Sequence, residues 1–167
     1  MRKSSVISVA FTFLAIMLWL TGCEQAAWDK QEKAQIDEYI KSLGDTIYEL
    51  KSSGLYYIEL TPGTGAVPDD GDTVAFYAKG CLLDNTVYTT NYKEASPYEY
   101  IMGKALTTGE ILLGIDEGLR YMKAGGISRL VLPSSLAWGK YGYGYVIPGY
   151  TPVYYEVKLV SVKPGPK

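Results

Sequence analysis

The stretch Gly109 to Gly139, GEILLGIDEGLRYMKAGGISRLVLPSSLAWG, decides the fold, because it reads as a short amphipathic helix leading into a buried strand. Leu112, Ile115, Leu119 and Met122 recur at three- and four-residue steps and make one apolar stripe, which leaves Asp116, Glu117, Arg120 and Lys123 on the other side. Gly125-Gly126 marks the end of the helix, since glycine accepts the left-handed backbone that stops an α-helix. Arg129 to Leu132 then gives a strand closed by Pro133. The apolar stripe needs a sheet to cover it.

Working outward, that sheet is visible on both sides. Upstream, Asp72 to Leu83 is a long strand, Asp84-Asn85 a turn, Val87 to Thr90 a returning strand and Ser96 to Met102 a further one, before a loop from Gly103 to Gly109. Downstream, after a loop that begins at Trp138, Val153 to Val162 alternates cleanly, with Val153, Tyr155, Val157 and Leu159 facing one way. Strands, one short helix and strands again make an α+β domain whose antiparallel sheet wraps around that helix. Ahead of it, Thr46 to Leu50 and Leu55 to Thr61 are β-rich runs joined by Lys51-Ser52-Ser53-Gly54, a hairpin or two edge strands, and the turn-rich Pro62 to Asp72 sets them apart from the main domain.

The amino terminus has a different character. Arg2 and Lys3 precede the apolar run Val6 to Leu20, and Leu20-Thr21-Gly22-Cys23 resembles a bacterial lipobox, which implies cleavage before Cys23 and lipid attachment to it. The competing reading, an uncleaved membrane helix, is disfavoured because the run is shorter than the roughly 20 residues that span a bilayer. Glu24 to Leu43 is polar with Ile36, Tyr39/Ile40 and Leu43 at helical steps, and Gly44 stands where a helix would stop. The sequence leaves open whether this amphipathic helix packs on the domain, mediates dimerisation or spaces the domain from a membrane. The expected organisation is therefore a signal over 1–22, a lipidated tether, helix and hairpin over 23–61, the main domain over 62–163 and a tail over 164–167.

Composition narrows the chemistry. The 167 residues carry a net charge of −2 without a long basic run, so nothing points to nucleic acid. Histidine is absent, which removes the commonest general base, proton shuttle and metal ligand and argues against triad hydrolysis or a zinc site. With Cys23 acylated, Cys81 has no partner for an intrachain disulfide, and it reads as a small core residue. The 16 tyrosines offer rigid area with polar tips, suited to a binding cleft or to the faces of a small sheet.

The order of several short motifs then resembles one family. These are Pro62-Gly63-Thr64-Gly65; Gly71-Asp72-Thr73-Val74; Gly80 with Leu82 and Asp84; Pro97-Tyr98-Glu99-Tyr100 running to Gly103; Gly114-Ile115-Asp116-Glu117-Gly118 with Met122 and Gly125; Leu132-Pro133 before Ala137-Trp138-Gly139; and Ile147-Pro148. From Gly63 to Val162 the chain resembles the FKBP-type peptidyl-prolyl cis-trans isomerases. The resemblance implies an FKBP-like antiparallel sheet wrapped on one short helix, preceded by a helical extension. Between helix and sheet it implies a shallow apolar cleft that takes a proline ring of exported proteins without cofactor or metal. Carried over by position, Tyr88, Tyr98 and Tyr155 are aromatic walls, Ile111 and Leu112 an apolar pair whose second member offers a backbone N–H to the substrate carbonyl, and Ile115 the floor. Trp138 stands in for a usual Tyr, and Tyr143, Val146 and Ile147 belong to an overhanging loop. Tyr88, Tyr98, Leu112 and Trp138 are the residues expected to bear on rotation.

The same comparison exposes departures. The family's pocket Tyr is here Ala78, with Tyr77 on the other sheet face, and the position where the family has Asp is Thr89. The stretch from Gly103 to Glu110 is longer than usual. Two functions follow as alternatives: a slow or specialised prolyl isomerase assisting exported proteins on the bacterial envelope, or a non-catalytic peptide-binding module or chaperone on the same scaffold.

Overall fold

The computed structural model describes residues 26–105 and 111–166; the expected signal and Cys23 lie outside the described residues. Helix α1 (26–42) precedes strands β1 (Glu49–Leu50), β2 (Tyr56–Thr61), β3 (Thr73–Leu82), β4 (Val87–Thr90) and β5 (Tyr98–Ile101). Helix α2 (Leu113–Leu119), strand β6 (Ile127–Leu132), two 3-10 turns (Ser134–Leu136 and Gly139–Tyr141) and strand β7 (Val153–Lys163) complete it. The strands form one antiparallel sheet in the order β1-β2-β6-β7-β3-β4, with β5 also paired to β3. β2, which the sequence places in the extension, is a member of this sheet and pairs with β6 from Tyr56↔Val131 to Thr61↔Ile127. The turn-rich stretch after it is a connection within the sheet.

Alternation along β7 divides the core into two layers. Val153, Tyr155, Val157 and Leu159 meet Leu130 and Leu132 of β6, Val74 and Phe76 of β3 and the α2 residues Ile115 and Leu119. On the reverse face Tyr154, Val131, Ile58, Tyr56 and Cys81 are covered by Ile36 and Tyr39 of α1. Tyr39 stacks on Tyr154 with centroids 5.3 Å apart. Of the three roles left open for α1, packing on the domain is the one seen, and Gly44 follows it with φ of 67°. Cys81 is a buried free thiol in that second layer.

Two expectations about the central helix change. α2 ends at Arg120, well before Gly125-Gly126, because i→i+3 bonds from Tyr121 to Gly118 and from Met122 to Leu119 tighten the chain after it. Gly125, at φ 88°, instead turns the chain into β6 and donates its N–H to Leu159 at 2.7 Å. Asp116, assigned to the polar side, is buried. Its Oδ1 accepts the Tyr100 hydroxyl at 2.7 Å and the Gly103 N–H at 2.8 Å, and its Oδ2 accepts Arg120 Nη2 at 2.8 Å. Arg120 in turn reaches Asp70 at 2.5 Å. A helical wheel counts Asp116 as polar and therefore outward, whereas two donors from a neighbouring segment, Tyr100 and Gly103, and one from its own helix, Arg120, compensate its burial. Gly114 and Gly118, one turn apart, let the helix sit directly on β6: a Cβ at either would collide with Leu132 or Leu130.

Candidate functional site

Where α2 stands off from the open end of β3, β4 and β5, the two leave a cleft of about 410 Å³. Its floor is Ile115, set by the helical step from the N-cap residue Leu112, whose extended backbone (φ −68°, ψ 146°) also brings Ile111 to the lip. The Leu112 carbonyl accepts from Ile115 and Asp116, while its own N–H, preceding the helix, has no acceptor among the described residues. Leu112 lines the cleft, which puts its main chain at the rim.

The opposite walls come from the sheet. Tyr98 of β5 meets Phe76 of β3 edge-on, and Tyr88 of β4 meets Tyr155 of β7 edge-on, with centroids 5.7 and 5.9 Å apart. Gly80 allows the second pair to close, since a Cβ there would run into both the Tyr155 ring and Thr89. Trp138, just past the first 3-10 turn, stacks on Tyr143 at 4.3 Å and forms the remaining wall. Ala78 and Thr89 line the far end, and Tyr77 stacks instead on Tyr92 away from the cleft.

Among the described residues, no lining side chain is charged. Burial pushes the Tyr88 and Tyr155 phenols up, Tyr155 most, where the neighbouring Tyr88 adds to it, so both are protonated and neither serves as a base. Tyr88 Oη lies between the Tyr155 hydroxyl and the Trp138 indole, and Tyr88 Oη and Trp138 Nε1 are buried without a close hydrogen bond among the described residues. Nothing in this arrangement is a nucleophile aligned with a base. It can exclude water, grip a small apolar ring and donate to a carbonyl.

Of the residues expected here, Tyr88, Tyr98, Leu112, Trp138, Ala78, Thr89, Ile111, Ile115, Tyr143 and Tyr155 all line the cleft. Val146 and Ile147 do not. Tyr143 and Ile147 form an isolated antiparallel bridge, which turns the loop so tightly that Ile147 is buried in the main core and Val146 stands exposed at the tip. Phe76, Thr90 and Asn91 line the cleft without having been singled out. Phe76 was legible, being two residues before Ala78 on an alternating strand. Asn91 was not: it takes the place of a strand residue just beyond β4, its Oδ1 accepting the Ala78 N–H at 2.7 Å and its Nδ2 donating to the Phe76 carbonyl at 3.2 Å.

A curved antiparallel sheet holding a two-turn helix, with an aromatic cleft between them, defines a small α+β domain. Comparison with known proteins gives the family. Residues 65–160 match the FKBP-type peptidyl-prolyl cis-trans isomerase family, to which the chain belongs. The chain is 33% identical over 146 residues to the FKBP-type peptidyl-prolyl cis-trans isomerase FkpA of Escherichia coli, covering 86% of this chain and 50% of that one. It is 27% identical to the macrophage infectivity potentiator of Trypanosoma cruzi, over 99% of this chain and 88% of the other. The crystal structure of Escherichia coli FkpA superposes with a TM-score of 0.68 at 28% identity, covering 95% of this chain and 73% of that one. A peptidyl-prolyl isomerase structure from Pseudomonas syringae gives 0.66 at 26%, covering 81% and 96%. The chain spans about half the length of the FkpA sequences it matches.

Proposed function

We propose that the protein is a peptidyl-prolyl cis-trans isomerase acting on Xaa-Pro bonds of exported polypeptides, and the aromatic cleft, uncharged among the described residues and with Leu112 at its lip, carries that reading. Amide resonance holds the Xaa-Pro bond behind a barrier of about 18–20 kcal/mol. The twisted state is less polar than the planar amide, so moving it out of water favours it. The proline ring sits over Ile115 between Tyr98, Tyr155 and Trp138, and Leu112 N–H holds the substrate carbonyl while the bond rotates. No proton moves, so the absence of histidine costs nothing. The lipobox-like Leu20 to Cys23 supports anchoring of the mature chain through an acylated Cys23 to a membrane of the bacterial envelope, on the periplasmic side.

A second reading, a binding module that grips proline segments without accelerating rotation, draws on Ala78 and Thr89, which place no phenol or carboxylate at the far end of the cleft. NMR exchange spectroscopy on Xaa-Pro peptides separates the two. Cis/trans exchange well above the blank at catalytic amounts of protein supports the isomerase; peptide shift changes without faster exchange support the module. Acylation is tested by intact mass of the membrane fraction, which Cys23→Ser should shift into the soluble one.

A further inference from the structure

The 134–150 segment carries Trp138 and Tyr143, and α1 grips it at both ends. At its start, Ser134 donates its backbone N–H to Glu32 Oε1 and its hydroxyl to Glu32 Oε2 at 3.0 Å. At its finish, Trp28 lies flat on Tyr150, with ring centroids 5.2 Å apart and planes within 5° of parallel. Tyr150 itself has a left-handed backbone (φ 56°), and its N–H closes on the Gly139 carbonyl at 3.0 Å. The grip is thus applied to a segment that is already tied into a loop.

Trp28, Glu32, Ile36, Tyr39 and Leu43 follow one another at three- and four-residue steps and occupy one stripe of α1. Its second half is ordinary packing: Ile36 and Tyr39 cover the reverse face of the sheet. Its first half is not, because a carboxylate is an expensive group to bury in a purely adhesive contact. Glu32 is 7% exposed, and its two oxygens are matched to the two donors of a single residue, four positions before Trp138. A bidentate contact of this kind fixes orientation as well as distance.

We infer that α1 positions the cleft: Glu32, with Trp28, holds the 134–150 segment so that Trp138 and Tyr143 stand against the helix and strands opposite. Glu32 bonds Ser134, which does not line the cleft, and acts through it as a positioning residue. Part of the test below rests on the isomerase reading, and part does not.

The full chain is compared with Glu32→Ala, Glu32→Gln, Trp28→Ala and, as a control on the exposed side of α1, Lys33→Ala. Three readouts are followed: the indole N–H resonance of Trp138, assigned by its loss in Trp138→Phe, exchange kinetics of an Ala-Pro peptide, and that peptide's affinity by titration. Glu32→Ala should move the Trp138 resonance and lower kcat/KM roughly fivefold, mainly through KM, as misplacement of a wall residue does. Glu32→Gln keeps an acceptor for the Ser134 N–H and should recover most of both, while Trp28→Ala should give a smaller change in the same direction. A folded Glu32→Ala protein with an unmoved indole signal and unchanged kinetics overturns the inference. If Glu32→Ala fails to fold, Trp28→Ala and Glu32→Gln decide it by the same readouts. If the unaltered chain does not accelerate exchange, the isomerase reading fails alone, because the indole shift and the peptide affinity read by titration still report the strut.

Discussion

Asp116 is where removal of one side chain should propagate furthest. Asp116→Ala would take the acceptor from the Tyr100 hydroxyl, which belongs to a residue only 2% exposed, from the Gly103 N–H, and from the Arg120 guanidinium. Each buried donor left without a partner costs about 1–3 kcal/mol. Arg120 keeps its bridge to Asp70, so its share is small. The sum is about 3–5 kcal/mol, the range for breaking a buried charged contact. Asp116→Asn retains one oxygen for Tyr100 and Gly103 but turns an amide NH2 toward Arg120, so about 1.5–3 kcal/mol is expected. Tyr100→Phe should cost about 2 kcal/mol, since its oxygen also faces the backbone N–H groups of Lys104 and Ala105. Urea unfolding followed by tryptophan fluorescence measures all three, together with the Asp116→Ala/Tyr100→Phe double variant. The two single losses should fail to add by about 1–2 kcal/mol, because they share one hydrogen bond. A loss under about 1 kcal/mol for Asp116→Ala, or strict additivity, would refute the view that this carboxylate ties α2 to the end of β5.

Gly118→Ala should destabilise by about 1–3 kcal/mol in spite of alanine's better helix propensity, because the added methyl meets Leu130; a gain on thermal unfolding would show that α2 can lift off β6 without penalty. The Tyr100, Tyr154 and Tyr155 phenols are all pushed up by burial, with Asp116, Cys81 and Tyr88 respectively adding to it. Their stabilising contribution is therefore present below about pH 10 and lost as pH rises toward the folded-state values, and alkaline titration should show their tyrosinate absorbance rising together with unfolding. Burial likewise holds the Glu32 carboxyl above the ordinary range against the two Ser134 hydrogen bonds that oppose it. That contribution is full below about pH 4.3 and declines as pH rises through the folded-state value, so Glu32→Gln should flatten that part of the profile of melting temperature against pH.

Most of the fold was legible because its signals are local. Val153 to Leu159 shows a period of two, the Gly109 to Gly139 stretch shows a helix handed to a strand, and these fix the inner layer. The cleft was legible through the family resemblance, which pointed to Tyr88, Tyr98, Ile115 and Tyr155 on regular elements and to Ile111, Trp138 and Tyr143 off them. What escaped depends on contacts between segments distant in sequence. The exposed-looking Asp116 is buried by donors from Tyr100 and Gly103, and Ile147 enters the core because it bridges Tyr143. Glu32 reads as one more polar residue on a solvated helix until Ser134 is brought against it from 102 positions away. Asn91 is likewise a loop residue in sequence and a substitute for a strand in space.

The most direct test of the central claim, that the cleft between α2 and the sheet rotates Xaa-Pro bonds, is NMR exchange spectroscopy of a proline tetrapeptide with the unaltered chain and with Leu112→Glu. The substitution puts a charge into a cleft whose described lining has none, while leaving the Leu112 main chain in place. Accelerated exchange in the first case, lost in a folded Leu112→Glu protein, is the predicted result. Acceleration that survives Leu112→Glu would place the chemistry elsewhere, and no acceleration by the unaltered chain would make the cleft a binding site alone.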